Sequence, residues 1–139
     1  MPIRGLGTDI VAIERIATSL QKSPRLVERV LTPFEQQCFA ELNQPERYFA
    51  KRFAAKEAFS KAIGLGMRMP MTWRSLQTLN EPSGKPVTHY SGRLADFMLE
   101  RDWHAQVTVS DEQDMAIAFV VVSHGTPIVT SHDPSNYIG

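Results

Sequence analysis

The eleven residues Phe53-Ala-Ala-Lys-Glu-Ala-Phe-Ser-Lys-Ala-Ile63 decide how this chain folds. They belong to a span, 46–63, that holds no glycine or proline and reads as one long helix. Gly64 supplies the left-handed residue that closes such a helix. At 3.6 residues per turn, Glu57 shares a face with Ala50, Phe53, Ala54 and Lys61. Small residues around a carboxylate let another element pack close to it, which a solvated glutamate would not need. Glu57 and Lys61 are also four apart, so a plain ion pair along the helix, worth about 0.3–0.5 kcal/mol, explains the spacing equally well. The span carries Arg47, Lys51, Arg52, Lys56 and Lys61 against Glu46 and Glu57, a surplus of three positive charges in a chain of net charge zero.

Upstream, "IRGLGTDIVAI" at 3–13 alternates as a strand. Leu6, Thr8 and Ile10 point one way; Ile3, Gly5, Gly7, Asp9 and Val11 point the other. The glycines leave the Asp9 face open to another chain or a ligand; the plainer alternative is a bend with Asp9 capping a helix. Short helices over 14–22 and 24–31 follow, broken at Ser23-Pro24. Their charges leave a net basic surface, for which a solvated helix face is the usual explanation. Thr32-Pro33-Phe34-Glu35 is a capping box that opens a further helix, in which Cys38 is a small core residue.

Downstream, "GLGMRMP" at 64–70 adds Arg68 and permits backbone amides to approach a ligand. Strands over 74–80 and 86–90 flank the turn-forming "EPSGK". A helix over 91–101 and two strands, 105–110 and 115–122, complete the core. The last strand is apolar enough to predict burial on both faces. Residues 124–139 read as a polar surface tail on a domain of 1–123.

A chain of 139 residues fits one domain with a real core. Zero net charge argues against bulk attraction to nucleic acid or an anionic membrane. One cysteine builds neither a disulfide framework nor a zinc cage, and no apolar run approaches the roughly 20 residues that span a bilayer. With no basic-then-apolar leader at the N-terminus, the expectation is a cytoplasmic protein.

Two carboxylates, Asp9 and Glu57, beside Lys and Arg are the chemistry of a divalent cation gripping a phosphate ester. Mg²⁺ takes one or two protein carboxylates plus water and substrate phosphates. Lys61, Lys56, Arg52 and Arg47 would neutralise the phosphate oxygens. No P-loop, nucleophile elbow, HExxH or dinucleotide fingerprint occurs.

"GLGTDIVAIERI" at 5–16 with "RFAAKEAFSKAIGLG" at 52–66 closely resembles the holo-[acyl-carrier-protein] synthases of the 4′-phosphopantetheinyl transferase superfamily, and the similarity in layout runs over 2–122. The resemblance implies an α+β fold with a small antiparallel sheet packed against a long central helix. It implies Mg²⁺-dependent transfer of the 4′-phosphopantetheine arm of coenzyme A to a serine of apo acyl carrier protein, with release of adenosine 3′,5′-bisphosphate. Asp9 and Glu57 match the metal ligands, and Lys61 the phosphate-contacting, catalytic lysine. Arg47, Phe49, Arg52, Lys56, Ser60 and Gly64 fall in the region resembling the coenzyme A surface. Gly84, Lys85 and Pro86 resemble an element near the nucleotide. Arg15, Lys22 and Arg25 resemble the docking surface for the acidic carrier. The family also implies a homotrimer with active sites between subunits.

One stretch departs from the pattern. Many members carry S-H-x-x-x-x-A-x-A before the final strand; here "SDEQDMAIA" puts Asp111 in the histidine's place. The serine's proton then has three candidate acceptors: Glu57, Asp111, and hydroxide on the metal. A non-catalytic coenzyme A or nucleotide-binding module is the competing function, against which the paired acids argue. A nucleic-acid binder lacks an aromatic stacking stripe beside its lysines.

Overall fold

A computed structural model describes residues 2–125. Strand β1 (Ile3–Ala12) leads straight into helix α1 (Ile13–Lys22), followed by the short α2 (Leu26–Val30), α3 (Pro33–Glu41) and the long α4 (Pro45–Ala62). A 3₁₀ turn at Trp73–Ser75 enters the hairpin β2 (Leu76–Asn80) and β3 (Pro86–Tyr90). Helix α5 (Gly92–Arg101) and the hairpin β4 (Trp103–Asp111) and β5 (Met115–His124) close the described chain. The expected elements are all present. The boundary expected at residue 123 falls inside β5, which runs to His124, and the Gly125 amide donates to Asp102 O at 3.0 Å. The expected tail beyond that lies outside the described residues.

Local chemistry accounts for the helix ends. Thr32 N donates to Glu35 Oε1 at 2.9 Å and Glu35 N to Thr32 Oγ1 at 3.3 Å, so the capping box at the start of α3 is complete. Pro45 sits in the first turn of α4, where a missing N–H costs nothing. Past its end, Leu65 N and Gly66 N both donate to Ser60 O, at 3.2 and 3.1 Å. Those two amides are therefore spent on the helix terminus.

The main sheet is antiparallel with order β1-β5-β4; β2 and β3 form a separate two-stranded sheet. Asp9 stands opposite Ala118, and Asp111 opposite Ala116. Helix α4 crosses the inner face of the main sheet. Ala54, Ala58 and Phe59 pack with Ala118, Val120 and Val122, while Phe49 and Ala50 join Ile13, Val30 and Leu31 in a second cluster. Full burial of side chains such as Phe49 and Phe59 contributes about 1.5–3 kcal/mol each.

The alternation expected for β1 is observed, but the glycine face is filled. A Cβ on Gly5 would stand 1.7 Å from Ala62 O, and one on Gly7 1.9 Å from Ala58 O. Two residues of strand advance about 6.8 Å and four of helix about 6 Å, so Gly5 and Gly7 meet Ala62 and Ala58 in step. The open face is the other one, where Leu6 and Ile10 stand exposed. The last strand likewise has one buried face only: Ala116, Ala118, Val120 and Val122 turn inward, whereas Phe119 is 41% exposed between them. Burial on both faces does not hold here, because nothing among the described residues covers the outer side of this sheet.

Candidate active site

The close approach of α4 to β1 brings the two acids together. Lys61, in the last turn of α4, donates from Nζ to Thr8 O at 3.0 Å and to Asp9 Oδ1 at 3.1 Å. Lys61 thus spans two elements and does not pair with Glu57 along its own helix, which removes the simpler explanation of their spacing. The Glu57 carboxylate accepts no hydrogen bond among the described residues, its backbone carbonyl taking the Ser60 hydroxyl instead. Its pKa is raised, first by loss of solvent, then by the negative charge of Asp9, with Lys61 pulling it down. The two carboxylates therefore feel each other, and one lysine leaves the pair short of positive charge.

That shortage suits a divalent cation. Among the described residues no group of three or more His, Cys, Asp or Glu could cage a metal. Two hard carboxylates on one side fit a cation that draws its other oxygens from water and phosphate, as Mg²⁺ does.

The other basic residues of α4 do not face this site. Lys56 is buried, with Nζ donating to Glu35 Oε1 at 2.8 Å, Trp73 O at 2.7 Å and Leu76 O at 2.7 Å. Burial pulls its ammonium below the usual range, and Glu35 opposes that pull. Arg52 is buried under the same side of the helix and donates to Thr78 O at 2.6 Å. Phe49 lies in the core, flanked by the rings of Phe39 and Phe53. Ser60 is buried and donates to Glu57 O at 2.7 Å. Phe49, Arg52, Lys56 and Ser60 are corrected on this point: each is consumed inside the chain, and none lines an exposed coenzyme surface.

Arg47 and Asp111 meet at the opposite end of α4. Arg47 Nη1 reaches Asp111 Oδ2 at 3.1 Å and Glu112 O at 3.0 Å; Nη2 reaches Gln113 O at 2.6 Å. Lys51 adds a contact to Asp111 Oδ1 at 3.5 Å. Both oxygens of Asp111 thus face cations. Arg47 precedes Glu57 by ten residues, about 15 Å along the axis. Within one chain Asp111 is not brought to Glu57 and Lys61.

Gly64 is exposed just past Lys61, with φ +80. Gly84, at φ +92, and Lys85 lie exposed in the β2–β3 turn, with Pro86 beginning β3. Arg15, Lys22 and Arg25 are exposed on α1 and at the start of α2, and none is ion-paired among the described residues. Because α1 follows β1 without a break, Arg15 stands only six residues past Asp9. Reading the sequence missed Glu35, the buried partner of Lys56; its place in the capping box was visible, its second role was not. A cleft of about 530 Å³ between β3, α5 and β4 touches the site region only through Lys85 and Pro86 and holds neither acid.

The strand glycine pair lets the helix lie close enough to carry Glu57 and Lys61 to Asp9, an arrangement of two acids and a cation that suits a metal-held phosphate. Residues 5–120 match the family model of the 4′-phosphopantetheinyl transferase superfamily, and the chain belongs to it. It is 59% identical over 127 residues to the holo-[acyl-carrier-protein] synthase of Polynucleobacter asymbioticus, covering 87% of this chain and 98% of that protein. The crystal structure of the Neisseria meningitidis holo-[acyl-carrier-protein] synthase superposes with a TM-score of 0.84 at 39% identity, over 88% of this chain and 99% of that one. The Helicobacter pylori synthase, solved in complex with coenzyme A, gives a TM-score of 0.73 at 28% identity, over 85% and 99%.

Proposed function

We propose that the chain transfers 4′-phosphopantetheine from coenzyme A to a serine hydroxyl of apo acyl carrier protein. The serine oxygen bonds to the phosphorus that bears the pantetheine arm. The bridging P–O bond of the pyrophosphate breaks, and adenosine 3′,5′-bisphosphate leaves with the bridging oxygen. The serine proton passes to a base. The observation that carries this reading is the joining of Asp9, Glu57 and Lys61 by the approach of α4 to β1.

Asp9 and Glu57 would hold Mg²⁺, which when bound supplies Lewis-acid polarisation of the pyrophosphate. Lys61, with a half-exposed side chain, reorients from Asp9 to a phosphate oxygen at little cost. Gly64 and the Gly84–Pro86 turn border the nucleotide. Arg15, Lys22 and Arg25 present an unpaired basic surface to the acidic carrier.

One chain offers too little charge for a coenzyme with a pyrophosphate and a 3′-phosphate, since Arg47 and Lys51 lie at the far end of α4. A neighbouring copy would supply them. The outer sheet face, with Leu6 57%, Ile10 58% and Phe119 41% exposed, is an apolar patch of the kind that subunit contacts cover. These features support an assembly with its sites between subunits, for which the family resemblance implies a homotrimer. Among the described residues no helix is long and apolar enough to cross a membrane; we place the reaction in the cytoplasm.

The test incubates purified protein with coenzyme A, Mg²⁺ and apo acyl carrier protein. Intact-mass analysis is expected to show the carrier gaining one phosphopantetheine. A folded preparation that leaves the carrier mass unchanged refutes the proposal.

A further inference from the structure

Arg52 and Lys56 stand one helical turn apart on α4, and both are buried. Arg52 donates to Thr78 O and Lys56 to Leu76 O. Leu76 and Thr78 are two apart on β2, whose only strand partner among the described residues is β3. The steps match: about 6 Å for four residues of helix, about 6.8 Å for two of strand. The helix cations therefore meet alternate carbonyls of a strand edge in register. A buried edge left bare would strand those carbonyls without donors. Lys56 spends its remaining protons on Trp73 O and Glu35 Oε1. Arg52 also lies over the Tyr48 ring, 5.0 Å from its centroid.

We propose that Arg52 and Lys56 are positioning residues: they lock the β2–β3 hairpin to α4 in a single register, and so fix the Gly84–Lys85–Pro86 turn relative to Asp9, Glu57 and Lys61. The hairpin carries that turn at its tip, and Glu57 directly follows Lys56. A slip between α4 and β2 moves the turn and the acid against each other. The kinetic consequence rests on the transferase reading; the lock itself does not.

Two kinds of role separate cleanly. A side chain that touches the 3′-phosphate of coenzyme A loses most of its effect on a substrate lacking that phosphate. A positioning residue acts equally on both substrates.

The experiment compares wild type with Arg52→Met, Arg52→Lys and the paired change Lys56→Met with Glu35→Gln, which avoids leaving a buried charge without its partner. Hydrogen exchange of the full chain is expected to quicken about tenfold or more across 76–90 in Arg52→Met and in the paired variant, and to stay unchanged across β1 and β5. Arg52→Lys, which keeps a donor for Thr78 O, is expected to restore most of the protection. KM for coenzyme A is expected to rise about tenfold in Arg52→Met, with the ratio of kcat/KM between coenzyme A and its 3′-dephospho form unchanged. Unaltered exchange across 76–90, or a ratio that collapses toward one, overturns the proposal. A wild type that transfers nothing refutes the transferase reading, while the exchange comparison still decides the lock.

Discussion

Substituting Gly7 with alanine tests whether the site depends on how closely α4 lies on β1. The new Cβ would stand 1.9 Å from Ala58 O and 2.9 Å from both Ala58 C and Ala62 N. All three are backbone atoms of a helix and cannot rotate away. Reaching even 3.0 Å from the oxygen requires a retreat of about 1.1 Å, the difference between the two distances. Overpacking of this kind costs about 1–3 kcal/mol, which for a chain of this size lowers Tm by roughly 3–12 °C. The functional loss is larger, because a displacement near 1 Å at a positioned catalytic group costs about 10²-fold in rate. Differential scanning calorimetry and the mass-detected transfer assay read the two effects separately. We expect Gly7→Ala to remain folded, with a lowered Tm and kcat/KM down about 10²-fold. Wild-type Tm together with wild-type kcat/KM would refute the reasoning, since it would mean that the helix does not rest on the glycine face.

Three further outcomes follow from named contacts. In chelator, Glu57→Gln is expected to be more stable than wild type at pH 7.5. A carboxyl whose pKa is raised on folding loses stability as pH rises through its folded value, so the advantage vanishes below its ordinary value of 4.5; equal urea midpoints at both pH values would count against it. Arg15→Glu with Arg25→Glu is expected to raise KM for the carrier about tenfold, less so at high salt, with KM for coenzyme A unchanged; an unaltered carrier KM removes this docking surface. Asp111→Asn is expected to lower kcat less than about threefold, because the partly exposed carboxylate serves Arg47 and Lys51. A fall of about 10²–10⁴-fold would instead make it the base.

Local patterns carried most of the architecture. The capping box at Thr32–Glu35, the period-two alternation of β1 and the uninterrupted helical run ending at Gly64 each depend on neighbours in sequence, and each appears as expected. Gly5 and Gly7 signalled a close approach, though the visitor is the chain's own α4 and not a ligand or second chain. The candidate site was half legible for the same reason. Glu57 and Lys61 sit on one helix face, and Asp9 on the glycine face that meets it. What stayed hidden is non-local. Lys56 and Arg52 look like surface charges until β2 is seen to offer its edge carbonyls, and no spacing within α4 reports which strand lies beside it. Strand β5 reads as doubly buried because its outer residues are apolar, although its outer side is left uncovered among the described residues.

The most direct measurement titrates Mn²⁺, a spectroscopic stand-in for Mg²⁺, into wild type, Asp9→Asn and Glu57→Gln with coenzyme A present, and follows free metal by electron paramagnetic resonance. Convergence of two acids from distant parts of the chain on one cation gives one bound ion per protomer in wild type and at least about tenfold weaker binding in each variant. Undiminished binding in either variant would contradict it.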